Sequence, residues 1–213
     1  MEASGPNEHT ARAHILSPVP ASRASARVTT RTGDGGETSL FGKPRVRKTD
    51  PRVIALGDLD EAQSAIGMAR AMVTKSTLGR ELLELQRGLY VAMSEVATPP
   101  EDLARLPQRI DAAAIERLDR VLESVRQTVR IEGRFVIPGE TPVAAAVDHA
   151  RTVARRAERS VVGCVDAGLV AADPILPWLN RVSDVLFVLA RASEKAPRAS
   201  KTTTKKPARR PKR

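Results

Sequence analysis

Beyond residue 50, apolar side chains recur every third or fourth position. Leu78, Leu82, Leu85, Leu89, Met93 and Val96 form one row, Ile115, Leu118, Leu122, Val125 and Val129 a second, and Leu179, Val182, Leu186 and Leu189 a third. That spacing lines up one face of an amphipathic α-helix. Asp50-Pro51, Thr141-Pro142 and Asp173-Pro174 each set a capping side chain before a proline suited to the first helical position. Pro177 follows the third so closely that regular helix is expected only from about Leu176. The pattern predicts five helices, near 51–73, 77–97, 111–131, 142–167 and 175–194, with short links apart from a proline-bearing loop at 98–110. Long helices joined by short links run antiparallel, so the expected fold is an all-α five-helix bundle.

The fourth helix differs from the rest. Val143, Val147, Ala150, Ala154, Ala157 and Val161 make a thin seam of small residues that lets a neighbouring backbone come close, while Arg151, Arg155, Glu158 and Arg159 share another face. By spacing alone, that charged face reads more readily as a solvated surface laced with ion pairs.

Composition supports helices: aromatic residues are 2% of the chain, too few for an ordinary sandwich or barrel. The net charge of +10 raises the question of nucleic acid. Nine Lys or Arg and no acid lie between Lys195 and Arg213, however, and outside that stretch 26 basic residues face 25 acidic ones. The basicity therefore belongs to a tail, 195–213, whose composition predicts disorder and at most salt-sensitive contacts with anions such as nucleic acid. Residues 1–27 read as a second disordered segment without the apolar stretch of a secretory signal. Residues 28–194 are the expected folded domain. No apolar run is long enough to span a bilayer, so no membrane partner is expected. Cys164 is the single cysteine, which excludes an intrachain disulfide and suits the cytoplasm.

Between the leader and the first helix lies TTRTGDGGETSLFGK, with four glycines in ten residues, expected to be a loop throughout. Its backbone N–H groups, hydroxyls and Arg31 are suited to phosphate oxygens. It is not a Walker A loop, because five residues separate Gly36 from Gly42-Lys43 and Pro44 stands where a magnesium-binding hydroxyl belongs. The three histidines, His9, His14 and His149, form no nucleophilic constellation with a serine or cysteine, and His149 reads as structural. No Glu-x-x-His pair of a di-metal oxidase is present either.

Several motifs stand in order along the chain: TRTGDGGETSLFGK, then Arg45-Val46-Arg47-Lys48-Thr49-Asp50, then Gly57-Asp58-Leu59-Asp60-Glu61 with Ser64-Ala65-Ile66-Gly67. Phe135-Val136-Ile137-Pro138-Gly139, Ala150-Arg151-Thr152-Val153, Arg155-Arg156-Ala157-Glu158-Arg159 and Leu179-Asn180-Arg181-Val182-Ser183-Asp184 follow. Together, over about residues 28–194, they closely resemble the PduO-type ATP:cob(I)alamin adenosyltransferases. The resemblance implies a ferritin-like bundle assembled as a homotrimer, with active sites between subunits. It implies that ATP, with Mg2+, lies against Thr30, Arg31, Thr32, Gly33, Thr38 and Ser39. Lys48, the segment Arg155, Arg156, Ala157, Glu158 and Arg159, and Asn180 would complete that site. It further implies that Asp60 pairs with Arg151 of the adjacent subunit and that Phe135 sits below the corrin ring of cobalamin.

In that role Phe135 would displace the lower axial ligand of cob(II)alamin and so ease its reduction; the competing reading is a core phenylalanine plugging the end of the bundle. A reductase and an adenosylcobalamin-dependent acceptor enzyme would be partners. Three positions depart from the family pattern: Glu140 stands where a second glycine is common, Gln63 where Asn is usual, and Arg31 where Lys is frequent. The rival readings are a carrier of adenosylcobalamin with little catalysis and a helical protein acting on nucleic acid through its tail.

Overall fold

The structure is a computed structural model, and it describes residues 29, 31–41, 45–73, 76–129, 131 and 135–194. The predicted leader, the basic tail and Thr30 lie outside the described residues. The elements run β1 (Glu37–Thr38), β2 (Val46–Arg47), α1 (Pro51–Ala71), α2 (Thr77–Val96), a 3-10 turn (Pro100–Arg105), α3 (Ala112–Arg126), α4 (Pro142–Asp166) and α5 (Ile175–Ser193). All five expected helices are present.

Cross-links between helices fix their order and direction. Arg156 of α4 reaches Glu61 and Asp58 of α1 and Ser160 reaches Asp58, while Arg155, Glu158 and Asp148 of α4 meet Ser183, Asn180 and Arg191 of α5, so both neighbours run antiparallel to α4. Gln86 of α2 donates to the Gln63 carbonyl of α1 at 3.0 Å. Arg181 of α5 holds Asp119 of α3 at 2.6 Å, and Arg117 of α3 reaches Glu81 of α2 at 3.1 Å, closing the ring.

The apolar rows of the sequence form the core. Leu82, Leu85 and Leu89 of α2, Leu118 of α3, and Leu179, Val182 and Leu186 of α5 are buried, each stabilising the fold by about 1.5–3 kcal/mol relative to exposure. Ala150, Ala154 and Ala157 are buried along α4, while α1 buries Ala55, Ala62, Ala65 and Ala69, small side chains on the two most extensively packed helices. Trp178 of α5 lies directly against Gly88 of α2, where an added Cβ would come within 2.2 Å of the indole Cζ2.

Caps account for most helix starts. Asp50 accepts from the Arg52 backbone at 2.9 Å and also pairs with its guanidinium, and that hydrogen bond holds the Asp50 carboxyl below its usual pKa. Thr141 accepts from Ala144 N at 3.1 Å and donates to the Ser193 carbonyl at 3.0 Å, tying the start of α4 to the end of α5. Ser76 and Asp111 cap α2 and α3 in the same way. Glu95, buried near the end of α2, accepts from Ile110 N ahead of α3; burial raises its pKa above the usual carboxylate value.

Three expectations need correction. Asp173 does not cap α5: Pro174 occupies the cap position without a side-chain bond. Leu176 N–H, three residues on from Asp173, goes to the Ala172 carbonyl at 3.0 Å and so is not taken by the Asp173 carboxylate. α3 stops at Arg126 rather than near 131, because the backbone N–H and hydroxyl of Thr128 both turn back to the Val125 carbonyl, at 2.9 and 2.8 Å. The glycine-rich segment is not loop throughout, as Glu37–Thr38 pairs antiparallel with Val46–Arg47.

Candidate active site

The N-terminal loop is built as a tight platform ahead of α1. Gly36 N donates to Gly33 O at 3.1 Å, and Lys48 N donates to Gly36 O at 2.9 Å. Gly36 has φ +79°, in the left-handed region that glycine enters without cost. Arg45 donates to the carbonyls of Thr32 and Glu37, and Arg47 to that of Gly35 at 3.3 Å, so two arginines brace the loop from the β2 side. The Lys48 ammonium then lies over Gly33, 3.3 Å from where a Cβ would stand. Of the predicted ATP contacts, the structure therefore brings Gly33 and Lys48 together. Arg31, Thr32 and Ser39 are exposed on the same loop, and Thr38 is partly buried in β1. The loop is anchored to the bundle where Phe41 N donates to Ala97 O, at the end of α2, at 3.1 Å.

On α4 the predicted basic segment divides into two sides. Arg156 faces α1, bonded to Asp58 at 3.1 Å and to Glu61. Its hydrogen bonds to Glu61, and then to Asp58, raise its pKa further and neutralise its charge within the chain. Arg155 and Arg159 are exposed on the other side. Arg155 donates to the Ser183 hydroxyl at 3.4 Å and Arg159 to the Arg155 carbonyl at 3.0 Å; neither has a carboxylate partner among the described residues. Glu158 accepts from Asn180 Nδ2 at 3.2 Å, and Ala157 is buried in the helix seam. Among the described residues, no hydrogen bond of Lys48, Arg155 or Arg159 joins the loop to α4 within one chain.

Asp60 is exposed on α1, while Arg151 on α4 turns its Nε to Asp148 at 3.4 Å, so these two are not paired within the chain. Phe135 is 104% exposed and Ile137 90% exposed, in the segment that leads to α4. Phe135 thus does not plug the bundle, and a wholly solvated Phe-x-Ile pair is available to an apolar ligand or partner. Gly139, at φ +121°, requires glycine, and Glu140 beside it is exposed.

An apolar groove of about 690 Å³ between the start of α2 and the ends of α3 and α5 contains none of these residues, and neither does one of about 540 Å³ around Trp178 and Arg117. Among the described residues there is no cluster of three or more His, Cys, Asp or Glu side chains that would hold a metal, and no helix long and apolar enough to cross a membrane. Cys164 is buried, and burial raises its thiol pKa, which suits a packing role.

Comparison with known proteins places this geometry. The family model for cobalamin adenosyltransferases matches residues 28–193. A corrinoid adenosyltransferase of Mycobacterium leprae (strain TN) is 40% identical over 174 residues, covering 78% of this chain and 91% of the relative. One from Citrobacter freundii is 38% identical over 172 residues, covering 80% and 97%. Among solved structures, a phenylalanine-to-alanine variant of a PduO-type ATP:corrinoid adenosyltransferase from Lactobacillus reuteri, complexed with cobalamin and ATP, superposes with a TM-score of 0.74 at 32% identity, covering 79% of this chain and 93% of that one. The chain therefore belongs to the cobalamin adenosyltransferase family.

Several residues of the site were not singled out by sequence. Arg45 and Arg47 were visible only as part of a motif, yet they shape the loop. Asp58, Glu61 and Ser160 decide which arginine is neutralised, and Asp148 and Arg191 form a buried pair behind Arg151. Asp58 and Glu61 stood in the motif at 57–61, and Asp148 was signalled as an acidic residue beside the small-residue seam of α4.

Proposed function

We propose that this protein transfers the 5′-deoxyadenosyl group of ATP to cob(I)alamin, giving adenosylcobalamin and triphosphate, in sites shared between the subunits of a homotrimer. The observation that carries the reading is the pair Arg155 and Arg159: two exposed guanidiniums on one helix face that no carboxylate of the described chain neutralises, next to Arg156, which two carboxylates do. Cations left uncompensated on a surface are suited to a polyanion. The leaving group here is triphosphate, which gathers negative charge as the C5′–O bond breaks, so Arg155, Arg159 and Lys48 act where charge develops. Thr30, Arg31, Thr32, Gly33, Thr38 and Ser39 of one protomer would hold ATP against Arg155, Glu158, Arg159 and Asn180 of the next. Arg156 and Ala157 would support that wall from within α4.

No protein nucleophile is needed, because cobalt(I) itself attacks C5′ and the electron pair of that bond leaves with triphosphate. The reactive group is thus the corrinoid substrate's, and the chain contributes orientation and electrostatics. The fit of Mg2+ is that of an ion carried mostly by phosphate and water oxygens, which needs few protein ligands. Asp34, Thr38 and Ser39 are oxygen donors on the loop, and bound magnesium would screen the triphosphate charge.

Asp60 and Arg151, unpaired with each other in one chain, are assigned to a contact across the subunit boundary. Phe135, fully exposed, is assigned to the lower face of the corrin, where it would keep the axial base off cobalt. The protein would work in the cytoplasm, with a separate reductase supplying the electron and an adenosylcobalamin-dependent enzyme taking the product. The rival carrier role predicts binding without turnover.

Phe135→Ala tests the corrin assignment. With ATP bound, the optical signature of four-coordinate cob(II)alamin should disappear while ATP affinity stays within about twofold, since the side chain touches only the corrinoid. Persistence of that signature would remove Phe135 from the ligand-displacing role.

A further inference from the structure

The strongest unexplained feature of the molecule is a charge cluster buried at the first half of α4. Asp148 is 2% exposed and Arg191 of α5 7%. The Asp148 carboxylate is shared: Oδ2 accepts from Arg191 Nη2, and Oδ1 faces Arg151 Nε one turn further along α4 at 3.4 Å. Arg191 cannot easily move away, for its Nε also meets Glu194 Oε1 at 2.9 Å and its guanidinium lies over the Phe187 ring, 5.2 Å from the centroid. A carboxylate in this setting is costly unless paired, and it gains its second cation from a residue assigned to the active site.

We infer that Asp148 is a positioning residue for Arg151: locked from behind by Arg191, it holds the Arg151 Nε so that the two terminal nitrogens point away from the bundle as a preset fork. Those terminal nitrogens have no partner among the described residues. A planar guanidinium held at Nε presents its two terminal nitrogens in the fork that takes a carboxylate end-on. Arginine otherwise loses substantial rotamer freedom on being held, and that ordering is here done in advance by the fold. The chain Phe187–Arg191–Asp148–Arg151 thereby ties the packing of α5 to the subunit boundary. This rests on the role proposed above for Arg151, and only the step from Asp148 to Arg151 is new.

The test is a cycle of four enzymes, parent, Asp148→Asn, Arg151→Ala and the double variant, assayed anaerobically with chemically reduced corrinoid. Asp148→Asn should lower kcat/KM for the corrinoid by about fivefold or more, within the range seen for directly coupled residues. The KM for ATP should stay within about twofold, because the nucleotide is gripped elsewhere. On the Arg151→Ala background the same substitution should cost less than about twofold, since the residue through which it acts is gone. Should Asp148→Asn fail to fold with Arg191 left unpaired, Asp148→Leu with Arg191→Met removes both buried charges together, and the same loss for the corrinoid is expected. Equal losses in the presence and absence of Arg151 would overturn the inference and leave Asp148 as packing alone. Unchanged kinetics for Arg151→Ala itself would instead overturn the role of Arg151, and the positioning of it as well.

Discussion

Replacing Arg155 by alanine is expected to lower kcat/KM for ATP by at least roughly tenfold, and removal of a comparable preorganised donor costs about a hundred- to a thousandfold. The side chain is exposed and its bond within the chain is a 3.4 Å contact to the Ser183 hydroxyl, so the fold loses little when it is cut back. On the proposed role, the transition state would lose a cation where triphosphate charge accumulates. A fall in kcat with thermal stability preserved is the signature of that loss, because an interaction made mainly in the transition state lowers kcat and kcat/KM together. A folded Arg155→Ala protein with parental kinetics would assign the triphosphate to other residues.

The largest effect on stability should come from Gly88→Ala. An ideal Cβ there lies 2.2 Å from Trp178 Cζ2 and 2.8 Å from Cη2, well inside any tolerable contact. The obstructing group is a buried indole ring, 3% exposed, so no flexible side-chain end can yield. Either α2 moves off α5 or Trp178 leaves its rotamer, and overpacking of this kind costs about 1–3 kcal/mol. In a chain of this size that corresponds to a fall in Tm of roughly 3–10 °C. Trp178→Phe in the same chain should return part of the loss, because the smaller ring withdraws the clashing atoms. A Gly88→Ala protein with unchanged Tm would mean that the α2–α5 contact is looser than described.

How far the sequence could be read depended on whether the deciding partners were near neighbours. α2 and α5 were legible because their leucine rows are local patterns of period 3.6, and the caps Asp50 and Thr141 act on residues two and three positions away. The end of α3 was not, because Thr128 turns its own side chain back on Val125 in a way no apolar row reveals. The missing cap at Asp173 was not legible either, because Leu176 N–H, three positions on, goes to the Ala172 carbonyl.

At the site, the presence of an arginine row on α4 was legible, but its division was not. Arg156 is neutralised by Asp58 and Glu61, 98 and 95 positions earlier, and Asp148 meets an arginine 43 positions later. Such pairs arise only once α1, α4 and α5 are packed together. The exposure of Phe135 was likewise open, since a single phenylalanine before a helix fits a plug and a ligand contact equally well.

The central claim is that a loop of one protomer and the α4 arginines of its neighbour make one active site. Co-expressing Lys48→Ala and Arg155→Ala chains with different tags, and purifying the mixed trimers through both tags, tests it directly. Each variant alone should be nearly inactive, whereas a mixed cyclic trimer, of either two-to-one composition, has one boundary in three with an intact loop facing an intact α4, so about a third of parental adenosyl transfer should return. Mixed trimers no more active than either variant alone would mean that the site is not shared between protomers in this way.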